Sequence, residues 1–226
     1  MNQKENDTEQ PSSLAKVYDV IAESFDSTRK YPWKDVSEFI EKILSSDFVL
    51  DLGSGNGRHT KLLTQQSRGT IGMDISFNIL KLSLMKELDG ITQDINLVNS
   101  DAVKLPFKDN VFDKLISIAV IHHLDTEENR CRVFSEIFRI LKKDGLAQIS
   151  CWLKSHPRFL KDDLRDKVQA GEKEIIVPWT LKNGEKISRY YYLFEINEIE
   201  ELAKNAGFSI IESKESNHNL FLTIKK

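Results

Sequence analysis

Cysteine is scarce: Cys131 and Cys151 are the only two among 226 residues. Two thiols build neither a disulfide framework nor a four-thiolate zinc site. The chain therefore reads as one from a reducing compartment, cytoplasmic with the nucleus also open. Long apolar stretches are missing too. The longest mostly aliphatic run, Leu115 to Ile121, is far too short to span a bilayer, and no secretory signal pattern opens the chain. No membrane association is expected. Charge of one sign is also lacking, since 32 Lys and Arg against 35 Asp and Glu leave a net charge of −3. That balance argues against an autonomous polybasic nucleic-acid binder and leaves room for a local basic patch. What is present is 40% hydrophobic and 30% charged residues, enough apolar mass for one α/β-sized soluble domain.

Residues 1–13 are polar and free of aromatics, the composition of a disordered lead-in, and the single domain is expected over 14–226. Leu14, Val17, Tyr18, Ile21 and Phe25 fall on one helical face, as do Val36, Phe39, Ile40, Ile43 and Leu44. Short apolar runs at Phe48–Leu52, Gly69–Asp74, Ile95–Val98, Phe112–Val120 and Leu146–Trp152 predict strands, with helical patterns between them. One of those helices should begin at Asp125-Thr126-Glu127-Glu128 with a capping box and stop at Lys142-Lys143-Asp144-Gly145. A later one should be capped by Asn197-Glu198. The stretch 154–188 breaks the rhythm and is expected to be an inserted loop region on the substrate side. Phe208–Ser213 and Leu220–Ile224 read as a closing hairpin. The pattern predicts an α/β fold: a doubly wound, seven-stranded, mostly parallel sheet with a C-terminal antiparallel hairpin.

The sharpest local feature is Asp51-Leu52-Gly53-Ser54-Gly55-Asn56-Gly57, directly after a strand. Glycines at these positions permit a tight turn and close approach of a ligand to backbone N–H groups. The spacing Gly-x-Gly-x-Gly departs from the dinucleotide fingerprint, and an acid two residues before the first glycine suits an ammonium or hydroxyl better than phosphate. Asp74, with Ile75 behind it, ends the second strand 21 residues past Gly53, where an acid can accept from ribose hydroxyls. Asp101-Ala102 follows the third strand, within reach of a purine amino group. Each acid closes one of three successive strands, the edge where open α/β sheets bind ligands.

Loop, acids and terminal hairpin resemble the class I S-adenosylmethionine-dependent methyltransferases. The resemblance implies a Rossmann-like methyltransferase fold with S-adenosyl-L-methionine as methyl donor. Asp51, Gly53, Ser54, Gly55, Asn56, Asp74, Ile75, Asp101, Ala102 and Ala119 would then bind it, with Gly53, Ser54 and Gly55 along the methionine part, Asp74 on the ribose, Asp101 by the adenine, and Ala119 with Val120 facing the sulfonium. Further elements are similar to one branch of that class: Val17-Tyr18-Asp19, Thr28-Arg29, Trp33, Ile116 to His123, Val177-Pro178-Trp179, and Arg189-Tyr190-Tyr191-Tyr192. That branch methylates the carboxylate of 5-carboxymethyluridine at the wobble position in the tRNA anticodon loop. Two departures stand out: Ser54 where the family commonly has Cys, and a short segment between Trp152 and Val177.

The residues agree with carboxylate chemistry on their own terms. The Asn/Asp-Pro-Pro-Tyr/Phe element of amino-methylating enzymes is absent, and Ile121-His122-His123 stands where pyrimidine C5 enzymes place a nucleophilic cysteine. A carboxylate is already ionised at pH 7 and needs orientation, a cation and a dry site rather than a base. Arg29 and Arg189 are the candidate carboxylate clamp, His122 or His123 an orienting group, and Trp33, Trp179, Tyr190 and Tyr191 candidate stacking surfaces for a flipped base. Arg58, Lys61, Lys154, Arg158, Lys161, Arg165 and Lys167 are candidate tRNA contacts. The family resemblance also implies a heterodimer with a small zinc-binding activator protein docked on a sheet edge, expected at the third strand. No metal is expected in this chain. A small-molecule O-methyltransferase and a non-catalytic S-adenosylmethionine or RNA binder of the same fold remain the alternatives.

Overall fold

The computed structural model describes residues 13–87, 96–160 and 162–226. The expected tail up to residue 12, the start of the third strand at Ile95, and Lys161 lie outside the described residues. Two helices, α1 (Leu14–Ser27) and α2 (Lys34–Ile40), precede the first strand. There follow β1 (Phe48–Leu52), α3 (Thr60–Gln66), β2 (Gly69–Asp74), α4 (Phe77–Glu87), β3 (Asn96–Asn99) and β4 (Phe112–Ile118). Next come α5 (Glu127–Ile140), β5 (Leu141–Trp152), α6 (Asp162–Gln169), β6 (Glu174–Thr180) and β7 (Lys186–Tyr192). The chain closes with α7 (Ile196–Asn205), β8 (Ser209–Ser216) and β9 (Asn219–Lys225).

Seven strands form one sheet in the order β3-β2-β1-β4-β5-β9-β8. The first five run parallel, and β9 inserts antiparallel between β5 and β8. The expected seven-stranded sheet with a terminal antiparallel hairpin is thus the observed one. The central strands lie under helices on both faces, so β1, β4 and β9 are apolar at successive positions rather than at alternate ones. One core cluster joins α5, α7 and the sheet through residues such as Leu50, Phe112, Phe134, Ile149 and Leu222. Another seats α2 on the opposite face through Val36, Phe39, Val49 and Ile116.

The structure departs from the sequence expectation at both ends of α5, at the cap of α7 and in the stretch 154–188. Helix α5 is capped by Thr126, whose Oγ1 accepts from the Asn129 N–H at 3.1 Å, without the reciprocal half of a capping box. It ends at Ile140, not at Lys142–Gly145. Leu141 already pairs with Phe112; the backbone then bulges through Asp144 at φ 66° before Leu146 pairs with Lys114. Gly145 is needed there, because a Cβ would stand 2.9 Å from the Lys142 carbonyl oxygen. Helix α7 is capped two residues earlier than expected, by a Glu195–Glu198 capping box.

The stretch expected as a loop carries helix α6 and the antiparallel ribbon β6–β7, with its own core of Phe159, Leu164, Val168, Ile175, Val177, Tyr191 and Leu193. Ile175 and Val177 alternate with outward Glu174, Ile176 and Pro178, the period of a half-buried strand. A two-stranded ribbon tolerates Pro178, since one side of each strand has no neighbour to bond. The ribbon brings Arg189 and Tyr191 over the ends of the main sheet.

Candidate active site

Strand order reverses between β1 and β4, and a cleft opens at the carboxyl ends of those strands. Gly53, Ser54, Gly55 and Asn56 form its floor, with Asp74, Ile75, Asp101 and Ala102 along one wall. Ala119, His122 and His123 enter after β4, Arg29 and Trp33 from the connection between α1 and α2, and Arg189 and Tyr191 from β7. Of the residues singled out for the donor, the carboxylate and the base, only Asp51, Trp179 and Tyr190 stay outside the lining; of the candidate tRNA contacts, Arg58 lies in it and Lys61, Lys154, Arg158, Arg165 and Lys167 do not.

The glycine loop works differently from the expectation of N–H groups offered to a ligand. Gly53 and Ser54 both donate to the Met73 carbonyl, at 2.7 and 2.9 Å, and Gly55 donates to Asp74 Oδ2 at 2.9 Å. These donors bind the loop to β2. What the glycines provide is room. Gly53 has φ +76°, and a Cβ there would lie 2.1 Å from Val120 Cγ2. Asp74 spends its other oxygen on the Ser76 N–H at 2.9 Å, and burial raises its pKa. Ser54 Oγ is buried with no hydrogen-bond partner, facing Gly72 of β2. Ala119 sits at φ 60°, a left-handed conformation held by an N–H bond to the Ser150 carbonyl.

Asp51 lies behind the loop and accepts from Thr60 Oγ1 at 2.6 Å. Burial pushes its carboxyl up to about 7, with the Asp74 charge adding to the rise. It braces the loop from outside the cleft. Asn56 lines the cleft, and its amide donates to Asp26 Oδ1 and the Arg29 carbonyl at 2.9 and 2.8 Å. That fastens the segment carrying Arg29 to the glycine loop.

The other half of the cleft is cationic and aromatic. Arg189 is buried, and its guanidinium carbon stands 4.6 Å from the Trp179 ring centroid and 5.3 Å from that of Tyr191. Its Nε has no hydrogen-bond partner, and no carboxylate among the described residues forms an ion pair with it. Arg29 lies 6.0 Å from Trp179 and 5.1 Å from Phe25, also stacked on rings. Trp179 thus carries both guanidiniums rather than a base, and its indole N–H donates to Ser24 Oγ at 2.8 Å. Tyr190 points away, its hydroxyl donating to the Asp125 carbonyl at 3.2 Å. Adjacent residues of a strand face opposite sides, so Tyr191 enters the cleft and Tyr190 leaves it.

Sequence reasoning did not assign Tyr18, Phe25 or Trp152 to the cleft, which they line, and gave Arg58 only as a candidate tRNA contact. Tyr18 and Phe25 sit on the α1 stripe that reads as core, and no pattern in the sequence distinguishes a stripe covering a cleft from one covering a core. Arg58 follows the glycine loop and stacks 5.1 Å over Trp33; burial lowers it to about 10, with Arg29 adding repulsion.

The cleft suits S-adenosylmethionine: close-approach glycines and acids at the ends of β2 and β3 line one continuous channel. Sheet order, loop and strand-end acids define the class, that of the S-adenosylmethionine-dependent methyltransferases. A methyltransferase domain family matches residues 50–149. A tRNA (carboxymethyluridine(34)-5-O)-methyltransferase of Schizosaccharomyces pombe is 31% identical over 229 residues, spanning 93% of this chain and 94% of the relative. The chain belongs to that tRNA (carboxymethyluridine(34)-5-O)-methyltransferase family. The Saccharomyces cerevisiae protein of the same name is 33% identical over 166 residues, 74% of this chain and 56% of that one. Among solved structures, a complex between the Haloferax volcanii Trm112 methyltransferase activator and a methyltransferase matches with TM-score 0.72 at 16% identity, over 94% of this chain and 97% of that one. That likeness is one of fold. No helix among the described residues is long and apolar enough to cross a membrane.

Proposed function

We propose that this protein transfers a methyl group from S-adenosylmethionine to the carboxylate of 5-carboxymethyluridine at the tRNA wobble position, forming the methyl ester. The observation that carries the reading is Arg189: a buried guanidinium without a carboxylate partner among the described residues, in the cationic and aromatic half of the cleft. A buried unpaired cation is costly, and a substrate carboxylate relieves that cost by a charge-assisted bond. Bound S-adenosylmethionine supplies an electrophilic sulfonium methyl. The chain's residues supply the rest. Gly53, Ser54, Gly55, Asn56, Asp74, Ile75, Asp101, Ala102 and Ala119 hold the donor, with Asp51 bracing the loop behind them. Arg189, with Arg29 beside it, holds the carboxylate, and His122, His123, Tyr191 and Trp33 shape the pocket around the extruded base.

No protein base is required, because a carboxylate carries no proton at pH 7. Burial keeps both histidines uncharged, His123 at about 3 and His122 well below the ordinary imidazole value, so neither adds a second cation. The reaction joins an anion to a cation and yields neutral products, and a water-poor pocket favours it. A small-molecule acid would satisfy Arg189 equally, but the family membership favours the tRNA substrate. The partner follows the same reading: a small zinc-binding activator adding to the edge strand β3, where Leu97 and Val98 are only half-buried. Work on tRNA fits a cytoplasmic protein.

The test is mass spectrometry of nucleosides from carboxymethyluridine-containing tRNA incubated with the chain, co-expressed activator and donor. The methyl ester should form, and Arg189→Ala should lower kcat/KM about 10–100-fold, the worth of a charged hydrogen bond. No ester from any carboxymethyluridine tRNA would remove the reading.

A further inference from the structure

The two adjacent histidines of the cleft wall make opposite hydrogen bonds. The Trp152 backbone N–H, which can only donate, meets His122 Nδ1 at 3.2 Å. The Tyr190 carbonyl, which can only accept, meets His123 Nδ1 at 3.0 Å. Both rings are neutral at pH 7, so each carries one N–H. His122 must therefore hold its proton on Nε2, and His123 on Nδ1. His123 Nε2 is left as an acceptor, and Tyr18 Oη lies 2.7 Å from it. The Tyr18 hydroxyl has no choice but to donate there.

A hydroxyl whose proton is committed turns only lone pairs to its other neighbours. Arg189 and Arg29 both line the cleft with Tyr18, and Arg189 is the buried one, its guanidinium against Tyr191, whose ring also meets His123. Stacking between Trp179 and Tyr191 sets the depth of that guanidinium, but ring faces do not fix its rotation within the stack. A fixed lone pair turned toward it would. Were the Tyr18 proton turned the other way, it would point at a cation and repel it. The Tyr190 carbonyl is the neighbouring peptide of Arg189 itself, so β7 sets the polarity of the chain that orients its own side chain. His122 has the complementary arrangement: its Nε2–H has no partner among the described residues, and its ring is held flat against Tyr191 at 5.1 Å and 13° in the cleft lining.

We propose that Tyr18, through its bond to His123, is a positioning residue for Arg189, and that His122 is the histidine that donates to the substrate carboxylate. The proposal rests on Arg189 being the carboxylate site. Its first test needs no substrate. Side-chain 15N NMR of the full chain should show His123 protonated on Nδ1 and His122 on Nε2, and Tyr18→Phe should shift His123 Nε2 while leaving the His122 tautomer unchanged. The opposite tautomer at either histidine overturns the proposal. The second test is a kinetic cycle with carboxymethyluridine tRNA. Tyr18→Phe should lower kcat/KM about 10-fold in the wild-type background and less than about 2-fold beside Arg189→Lys, because its effect passes through that guanidinium. His122→Phe, which keeps the stack and deletes the donor, should cost about 10-fold or more. Independent, multiplying losses for Tyr18→Phe and Arg189→Lys would refute the positioning role. If wild type makes no ester while the tautomers stand as stated, the substrate reading has failed and the hydrogen-bond chain has not.

Discussion

Gly53 is the position where local geometry makes the firmest quantitative demand. Its φ of +76° penalises any L side chain by about 1–2 kcal/mol. A methyl group there would also stand 2.1 Å from Val120 Cγ2, a separation no packing tolerates, so one of the two must move. Overpacking of that kind costs about 1–3 kcal/mol. Gly53→Ala should therefore destabilise the fold by about 2–5 kcal/mol. The two contributions separate in a double-mutant cycle. In Val120→Ala the offending methyl is gone and the nearest remaining atom, Cβ, lies 3.3 Å away, so only the backbone penalty survives. Gly53→Ala should then cost about 1–3 kcal/mol less in the Val120→Ala background than alone. Urea unfolding followed by circular dichroism measures all four corners, with equal m-values as the check on two-state behaviour. Costs that add within about 0.5 kcal/mol would show that Val120 is not what excludes a side chain at Gly53.

Two further outcomes follow from burial. Asp51 has a folded pKa of about 7 against an ordinary 3.8, so the folded state binds the extra proton and stability falls as pH rises from about 4 to 7. At 1.36 kcal/mol per pKa unit this is roughly 4 kcal/mol; Asp51→Asn should flatten that part of the pH–stability curve, and curves that stay parallel would count against a buried protonated acid. Phe159→Ala empties the centre of the ribbon core, at about 3–5 kcal/mol locally. Hydrogen exchange should quicken in β6 and β7 while β1, β4 and β5 stay protected, and uniform loss of protection would mean the ribbon is not a separable unit.

The main sheet was legible because its signals are local: β1, β2 and β3 run into Gly53, Asp74 and Asp101, and α1, α2 and α5 show apolar stripes. The ribbon was not, because its alternation spans only Glu174 to Pro178 and is flanked by charges. Tyr190 and Tyr191 were both offered as stacking surfaces; strand alternation puts them on opposite faces, and the packing of Tyr191 into the ribbon core decides which of them reaches the cleft. Asp51, read as a ligand contact, is a brace because Thr60 reaches it from α3, a pairing nine residues apart that no spacing rule announces. The end of α5 was misplaced for a related reason. Asp144-Gly145 is the signature of a helix stop, and the chain uses it for a bulge inside β5.

Net charge says little about how such a site chooses its ligands, because the cleft is polarised within itself. Asp74 and Asp101 line one end, with burial raising Asp74; Arg29, Arg58 and Arg189 line the other. Each end gains most from a ligand of opposite sign. Turnover erases that gain at the Arg189 end, since an ester has no charge to offer a guanidinium. The site should therefore release its own product. Carboxymethyluridine tRNA should bind about 10-fold or more tighter than the same tRNA bearing the methyl ester, from one lost charge-assisted bond. Arg189→Gln should bind the two alike. Titrations of both tRNAs at one fixed salt concentration make the comparison, because phosphate contacts contribute equally to each. Equal affinities for acid and ester in the wild-type protein would mean that Arg189 faces something other than the carboxylate.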